Sequence, residues 1–146
     1  MNFTIAPDHL AALHRYLELT YPQEGCGLML GTIDQETIQI HQVIPTTNVW
    51  NHPEETDRSL RDRYEIDPRE MLAALKTARQ NHLELIGIYH SHPDHSAFPS
   101  ECDRSLAWSS YIYVICQVNS GIISATTAWQ LDDDRQQFQP VEITVA

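Results

Sequence analysis

The run LELIGIYHSH at positions 83–92 limits the fold more than any other stretch of the chain. It reads as a strand buried in its first half. Side chains alternate along a strand, so His90 and His92 share one face and Ser91 takes the other. The two imidazoles then stand about 7 Å apart and can converge on one divalent ion. A single histidine at a strand end is ordinarily a partly exposed polar residue. Two of them at i, i+2, followed by Pro93, point to a metal site.

The stretch HSHPDHSAFPSECD, residues 90–103, admits two groupings of ligands. As H-x-H-x-D-H they are His90, His92, Asp94 and His95. As H-x-H followed by S-x-x-D they are His90, His92 and Asp103, and Ser100 becomes part of the chemistry. The first grouping resembles the metallo-β-lactamase signature. That family takes further histidines well downstream, and its duplicated sandwich needs a larger chain. None of the eight histidines here lies after His95.

The second grouping resembles the JAMM motif of the Mov34/MPN/PAD-1 metalloprotease family. That motif is an upstream glutamate, then H-x-H-P, then S-x-x-D. It maps onto Glu24 in YPQEGCGLMLG, onto His90, His92 and Pro93, and onto Ser100 and Asp103. EGCGLMLG, the Asn48 region, RYEIDPREMLAALK, GIYHSHPD and FPSECDRSLAW are all similar to bacterial members, so the likeness spans roughly residues 20–110. The resemblance implies an α/β fold, a mixed sheet flanked by helices in a three-layer, cytidine-deaminase-like architecture. It implies one zinc ion per chain on His90, His92 and Asp103, with water in the fourth position. It gives Glu24 the role of general base, and Ser100 that of stabilising the tetrahedral oxyanion. The substrates it implies are amide bonds after the C-terminal Gly-Gly of ubiquitin or a ubiquitin-like protein. A chain this compact resembles the stand-alone bacterial type, some of which act on sulfur-carrier proteins. A flexible carrier tail can lie extended beside an exposed strand edge.

The residue chemistry fits these roles. Two neutral imidazoles and one carboxylate leave a zinc ion with net positive charge, which lowers the pKa of bound water toward neutrality. Ser100 and Asp103 also match a capping box, and a helix start there holds Asp103 rigidly near the strand end. Glu24 by itself reads as an exposed loop residue; only E-x-x-G, with Gly27 opening a buried strand, marks it out. Asp94 and His95 read as loop residues near the mouth. Cys26 and Cys102 read as small buried side chains, and Trp108, Tyr111 and Tyr113 as core.

The remaining elements alternate between helix and strand, as in one mixed domain over 1–146. Pro7 suits a first helical turn, with Leu10, Leu13 and Leu17 on one face and a stop before Pro22. CGLMLGTI and TIQIHQVI read as strands. Residues 46–63 form a long polar loop and a candidate flap over a bound tail, closed by a short strand at Tyr64 and Ile66. Asp67-Pro68-Arg69-Glu70 starts a helix, with Asp67 as cap and Glu70 completing a box. Its apolar face is Met71, Leu72, Leu75 and Ala78. PSECDRSLAW starts another helix, and YIYVICQV, IISATTAW and FQPVEITV form an antiparallel meander.

Composition excludes several classes. The net charge of −11 repels phosphate backbones, so nucleic acid is not an expected partner. Three cysteines without C-x-x-C pairs argue against a disulfide framework and a cysteine-rich zinc ribbon. MNFTIAPDHLAALHRYLEL has no basic n-region or long apolar core, and no run approaches a membrane span, so a cytoplasmic protein is expected. A zinc deaminase would need H-x-E and P-C-x-x-C, and neither is present. A scaffold of this fold without catalysis is the remaining alternative. It is disfavoured because every motif position is filled, although zinc binding without turnover stays open.

Overall fold

The computed structural model describes residues 2–146. The elements in chain order are β1 (Asn2–Ile5), α1 (Pro7–Thr20), β2 (Cys26–Asp34), β3 (Thr37–Thr46), α2 (Pro68–Gln80), β4 (Glu84–Pro93), α3 (Glu101–Leu106), β5 (Ile112–Asn119), β6 (Ile122–Leu131), β7 (Phe138–Val141) and β8 (Ile143–Val145). All strands join one eight-stranded mixed sheet in the order β7-β6-β5-β4-β2-β3-β1-β8. β4 and β5 run parallel through the α3 connection, and β2 lies antiparallel to β4.

The central strands are apolar on both sides because both faces of the sheet are covered. Residues 26–31 of β2 and 86–93 of β4 are all buried. One face packs against α1 through Leu13, Leu17, Met29, Tyr89 and Val114. The opposite face holds Leu28, Ala74, Ile88 and Tyr113, under α2. Tyr89 lies across Gly27, where a Cβ would stand 2.0 Å from its ring, so this crossing requires glycine.

β7 and β8 are separated only by Glu142, yet they lie at opposite ends of the strand order. The sheet therefore curls until its two edges almost meet. FQPVEITV is thus not one meander strand. Its first half pairs antiparallel with β6, and its second half pairs parallel with β1. β1 itself is formed by NFTI, which carries no strand signal of its own strong enough to separate it from the helix that follows.

Other expectations are corrected in detail. Burial of β4 deepens toward the histidines instead of fading; Glu84 is the exposed end. The inward stripe of α2 is Met71, Ala74 and Ala78, while Leu72 and Leu75 face solvent. Small alanines let the helix lie close to the sheet, and that proximity outweighs the greater hydrophobicity of leucine. Asp67 caps α2 by accepting from Arg69 N–H at 2.9 Å, but Glu70 closes no box. It accepts from Thr47 N–H instead, at 3.1 Å, and anchors the start of the long loop. Residues 64 and 66 form no strand; only an isolated bridge joins Asn48 and Ile66. α3 ends at Leu106, and Trp108 is 65 % exposed, not core. Tyr113 is buried and its hydroxyl accepts from Trp108 N–H, which fixes the backbone while the indole points outward. Tyr111 is half-buried against the α2-side core.

Candidate metal centre

The pleat of β4 turns His90 and His92 toward α3 and Ser91 toward α1. Ser91 Oγ accepts from Gly25 N–H at 2.8 Å, and Ser91 N–H donates to Gly25 O at 3.1 Å. This clamp fixes the segment that precedes β2. Cys26 then pairs with His90 across the two strands. Glu24, two residues earlier, is carried into the same region and is only 3 % exposed. The residue that resembled an exposed loop glutamate is buried beside the histidines.

Glu24, His90, His92 and Asp103 each present a ligand atom within 4.8 Å of the others. His90 Nδ1–H donates to Glu24 Oε1 at 3.0 Å, and His92 Nδ1–H donates to Ser96 O at 2.7 Å. Each of these acceptors can receive only a proton-bearing nitrogen, which assigns the tautomers. Both Nε2 lone pairs therefore face Asp103. His92 Nε2 lies 3.2 Å from Asp103 Oδ2, and His90 Nε2 lies 3.8 Å from Asp103 Oδ1. His90 Nε2 is buried and has no hydrogen-bond partner. Two lone pairs and a carboxylate turned toward one point repel unless a cation stands among them. A proton on His90 provides that charge in the bare polypeptide, and a metal ion would replace it. The donor set of two imidazoles and one carboxylate suits zinc with one position open.

The titration of these groups reflects the same demand. Burial pushes His90 toward its neutral form. Asp103 and then Glu24 outweigh it, so His90 holds its proton above the ordinary imidazole range. Burial would also raise Asp103, but the two imidazoles and the Ser100 N–H hold its carboxyl well below the usual range.

Asp103 is placed by the start of α3. Ser100 Oγ accepts from Asp103 N–H at 3.0 Å, and Asp103 Oδ2 accepts from Ser100 N–H at 2.8 Å, a complete capping box. The cap and the site use the same residues. Ser100 Oγ spends a lone pair on the cap and keeps its proton to donate. Ser100 faces a cleft of about 250 Å³ with Glu24, Arg63, Tyr64, His92 and Asp103.

Asp94 is turned away and fully used. Its Oδ2 accepts from Tyr21 hydroxyl at 2.6 Å and its Oδ1 from Ser120 N–H at 2.9 Å. His95 stacks on His92 with centroids 4.2 Å apart and lines the cleft. On the other side Tyr64 stacks on His90 at 4.5 Å. Neither aromatic contact was expected from the sequence. The only hint was the position of Tyr64 at the end of the polar loop. Cys26 is buried as expected, and its thiol is pushed up to about 11 by burial. Cys102 is half-buried and lines the cleft instead of the core.

This fold and this cluster define a class. Residues 6–132 match the family of prokaryotic homologs of the JAB domain, and the chain belongs to that family, as a JAMM-type isopeptidase or protease. The chain is similar to a desampylase of Haloferax volcanii, 32 % identical over 83 % of this chain and 80 % of the relative. It is also similar to a probable TtuB-protein conjugate cleaving protease of Thermus thermophilus, 40 % identical over 64 % of this chain and 55 % of the relative. Among solved structures, a protein of Desulfitobacterium hafniense superimposes with a TM-score of 0.82 at 25 % identity, covering 99 % of this chain and 92 % of that one. A protein of Salinibacter ruber gives 0.73 at 33 % identity, covering 100 % and 92 %. No helix among the described residues is long and apolar enough to cross a membrane.

Proposed function

We propose that the protein is a zinc-dependent isopeptidase that hydrolyses the amide bond after the C-terminal Gly-Gly of a ubiquitin-like protein of the sulfur-carrier type. The observation that carries this reading is the pair of Nε2 atoms turned on Asp103, one of them buried without a partner, with buried Glu24 alongside. The relatives' names add the substrate class, since one is a conjugate-cleaving protease and another a desampylase.

His90, His92 and Asp103 would hold one zinc ion. Zinc supplies a Lewis acid for the scissile carbonyl and makes water acidic enough to lose a proton near neutral pH. Glu24 Oε1 is engaged by His90, and its second oxygen takes the proton of the attacking water. As the water oxygen bonds to the carbonyl carbon, Ser100 donates its hydroxyl proton in a hydrogen bond to the oxyanion. The C–N bond then breaks, and Glu24 passes its proton to the leaving amine. The new carboxyl group gives up its remaining proton to the amine or to solvent, leaving the carrier carboxylate and the released amine. Arg58, Asp62, Arg63 and Tyr64 of the long loop wall one side of the cleft, the place a flap over the tail would occupy.

The test is zinc content together with cleavage of a ubiquitin-like carrier extended past its Gly-Gly. About one zinc per chain is expected. Glu24→Gln should keep the zinc and lose cleavage. Zinc that persists after combined replacement of His92 and Asp103 by alanine would overturn the site, and full activity in Glu24→Gln would overturn the mechanism.

A further inference from the structure

Glu24 lies two residues before β2, outside the sheet ladder, so β2 and its neighbours satisfy neither of its backbone polar groups. Both are satisfied by the loop between β3 and α2. Glu24 N–H donates to Leu60 O at 2.7 Å, and Glu24 O accepts from Asn48 Nδ2 at 2.9 Å. The same Asn48 nitrogen donates to Arg63 O at 2.9 Å. Its oxygen accepts from Trp50 N–H and from Glu65 N–H, each at 3.1 Å. One side chain thus makes all four hydrogen bonds an amide can make. Two are to carbonyls and two to N–H groups, so only a carboxamide, and only in this orientation, satisfies the set.

These bonds join three things. The contacts to Trp50, Arg63 and Glu65 draw the neck of the loop together, and the Asn48–Ile66 bridge and Val49 N–H to Glu65 O at 2.9 Å continue the seam. The loop wall of the cleft, Arg63 and Tyr64, follows directly from that neck. The remaining contact reaches the main chain of Glu24. On its other side Glu24 is bounded by the clamp of Ser91 on Gly25. Glu24 is held between a buried strand and the loop that walls the cleft.

We infer that Asn48 is a positioning residue for Glu24 and couples the closed conformation of the long loop to the placement of the base. The inference rests on the proposed role of Glu24. Its content is that the base is in register for proton transfer only while the loop neck is closed.

The experiment compares Asn48→Asp, Glu24→Gln and the native chain, all zinc-loaded, on the same extended carrier. Asn48→Asp has the same shape and keeps the acceptor for Trp50 and Glu65, but sets an oxygen against the carbonyls of Glu24 and Arg63. A displacement of ~1 Å in a catalytic group costs about 100-fold, so kcat should fall at least ~30-fold while KM stays within about threefold. Amide exchange at Glu24, measured on the metal-free protein, should quicken, and bound zinc should be unchanged. A purely structural neck would raise KM and leave kcat alone; a kcat within about tenfold of native overturns the inference. Asn48→Ser is the second variant should Asn48→Asp not fold, and the same thresholds apply. Native activity in Glu24→Gln overturns the proposed mechanism itself, and the inference with it. A dead Glu24→Gln beside an unimpaired Asn48→Asp overturns the inference alone.

Discussion

The two faces of β4 differ in how their polar atoms are settled. Toward α1, Tyr89 packs over Gly27 and Ser91 spends its hydroxyl on Gly25 N–H, so the surface is largely apolar and its serine is satisfied within the fold. Toward α3, one residue further along each time, His90 and His92 turn unshared electron pairs on a carboxylate, and one of those atoms has no partner. A single strand thus carries a packed, largely apolar face and a face whose donors suit a cation. Packing is concentrated on the first, and the proposed chemistry on the second.

Substitutions on the two faces should therefore separate stability from activity. The largest effect is expected from Glu24→Gln, a loss of about 10³-fold in kcat, with unfolding midpoint and zinc content unchanged in parallel assays. Next comes Tyr89→Ala on the α1 face, which should cost about 3–5 kcal/mol of stability by denaturant titration. The protein that remains folded should keep its zinc; loss of zinc before unfolding would show that the faces are not separable.

Acidity offers a third way to divide them. His90 in the bare polypeptide titrates above its unfolded value, so its contribution to stability is fully present below about pH 6.5 and fades as pH rises through the folded value. The chelated protein should accordingly lose a few degrees in Tm, roughly 2–6 °C, between pH 6 and 8. Zinc-loaded protein should show no such decline, because the metal replaces the proton. A decline of equal size in both forms would place the titrating group elsewhere. An effect of similar size is expected from Ser91→Ala, about 1–3 kcal/mol by denaturant titration, since it strands the Gly25 N–H in a buried place.

Much of this division can be read before folding. Period two in LELIGIYHSH already puts His90 and His92 together and Ser91 apart. Pro7 and Pro68 mark helix starts at their observed positions. Ser100 and Asp103 form the cap of α3, and the proposed site draws on the same pair. What escapes local reading depends on distant neighbours. Leu72 and Leu75 outrank Ala74 and Ala78 in hydrophobicity, but the closeness of α2 to the sheet decides which side is inward. Trp108 is large and apolar, yet α3 ends two residues before it. Glu24 has no local signal of burial, because its surroundings come from β4 and the long loop. The four bonds of Asn48 form only after residues 50, 63 and 65 have been brought to it.

The near-closure of the sheet has a consequence for self-association. Open strand edges are templates on which further chains can polymerise. Here both edges are occupied by short pieces of one segment, four residues in β7 and three in β8. Their outer rims are brought toward each other around Glu142. Loss of this one segment would uncover β6 and β1 together, giving the chain two open templates in place of almost none. The strands at residues 138–141 and 143–145 thus cover the two edges that β6 and β1 would otherwise offer for pairing.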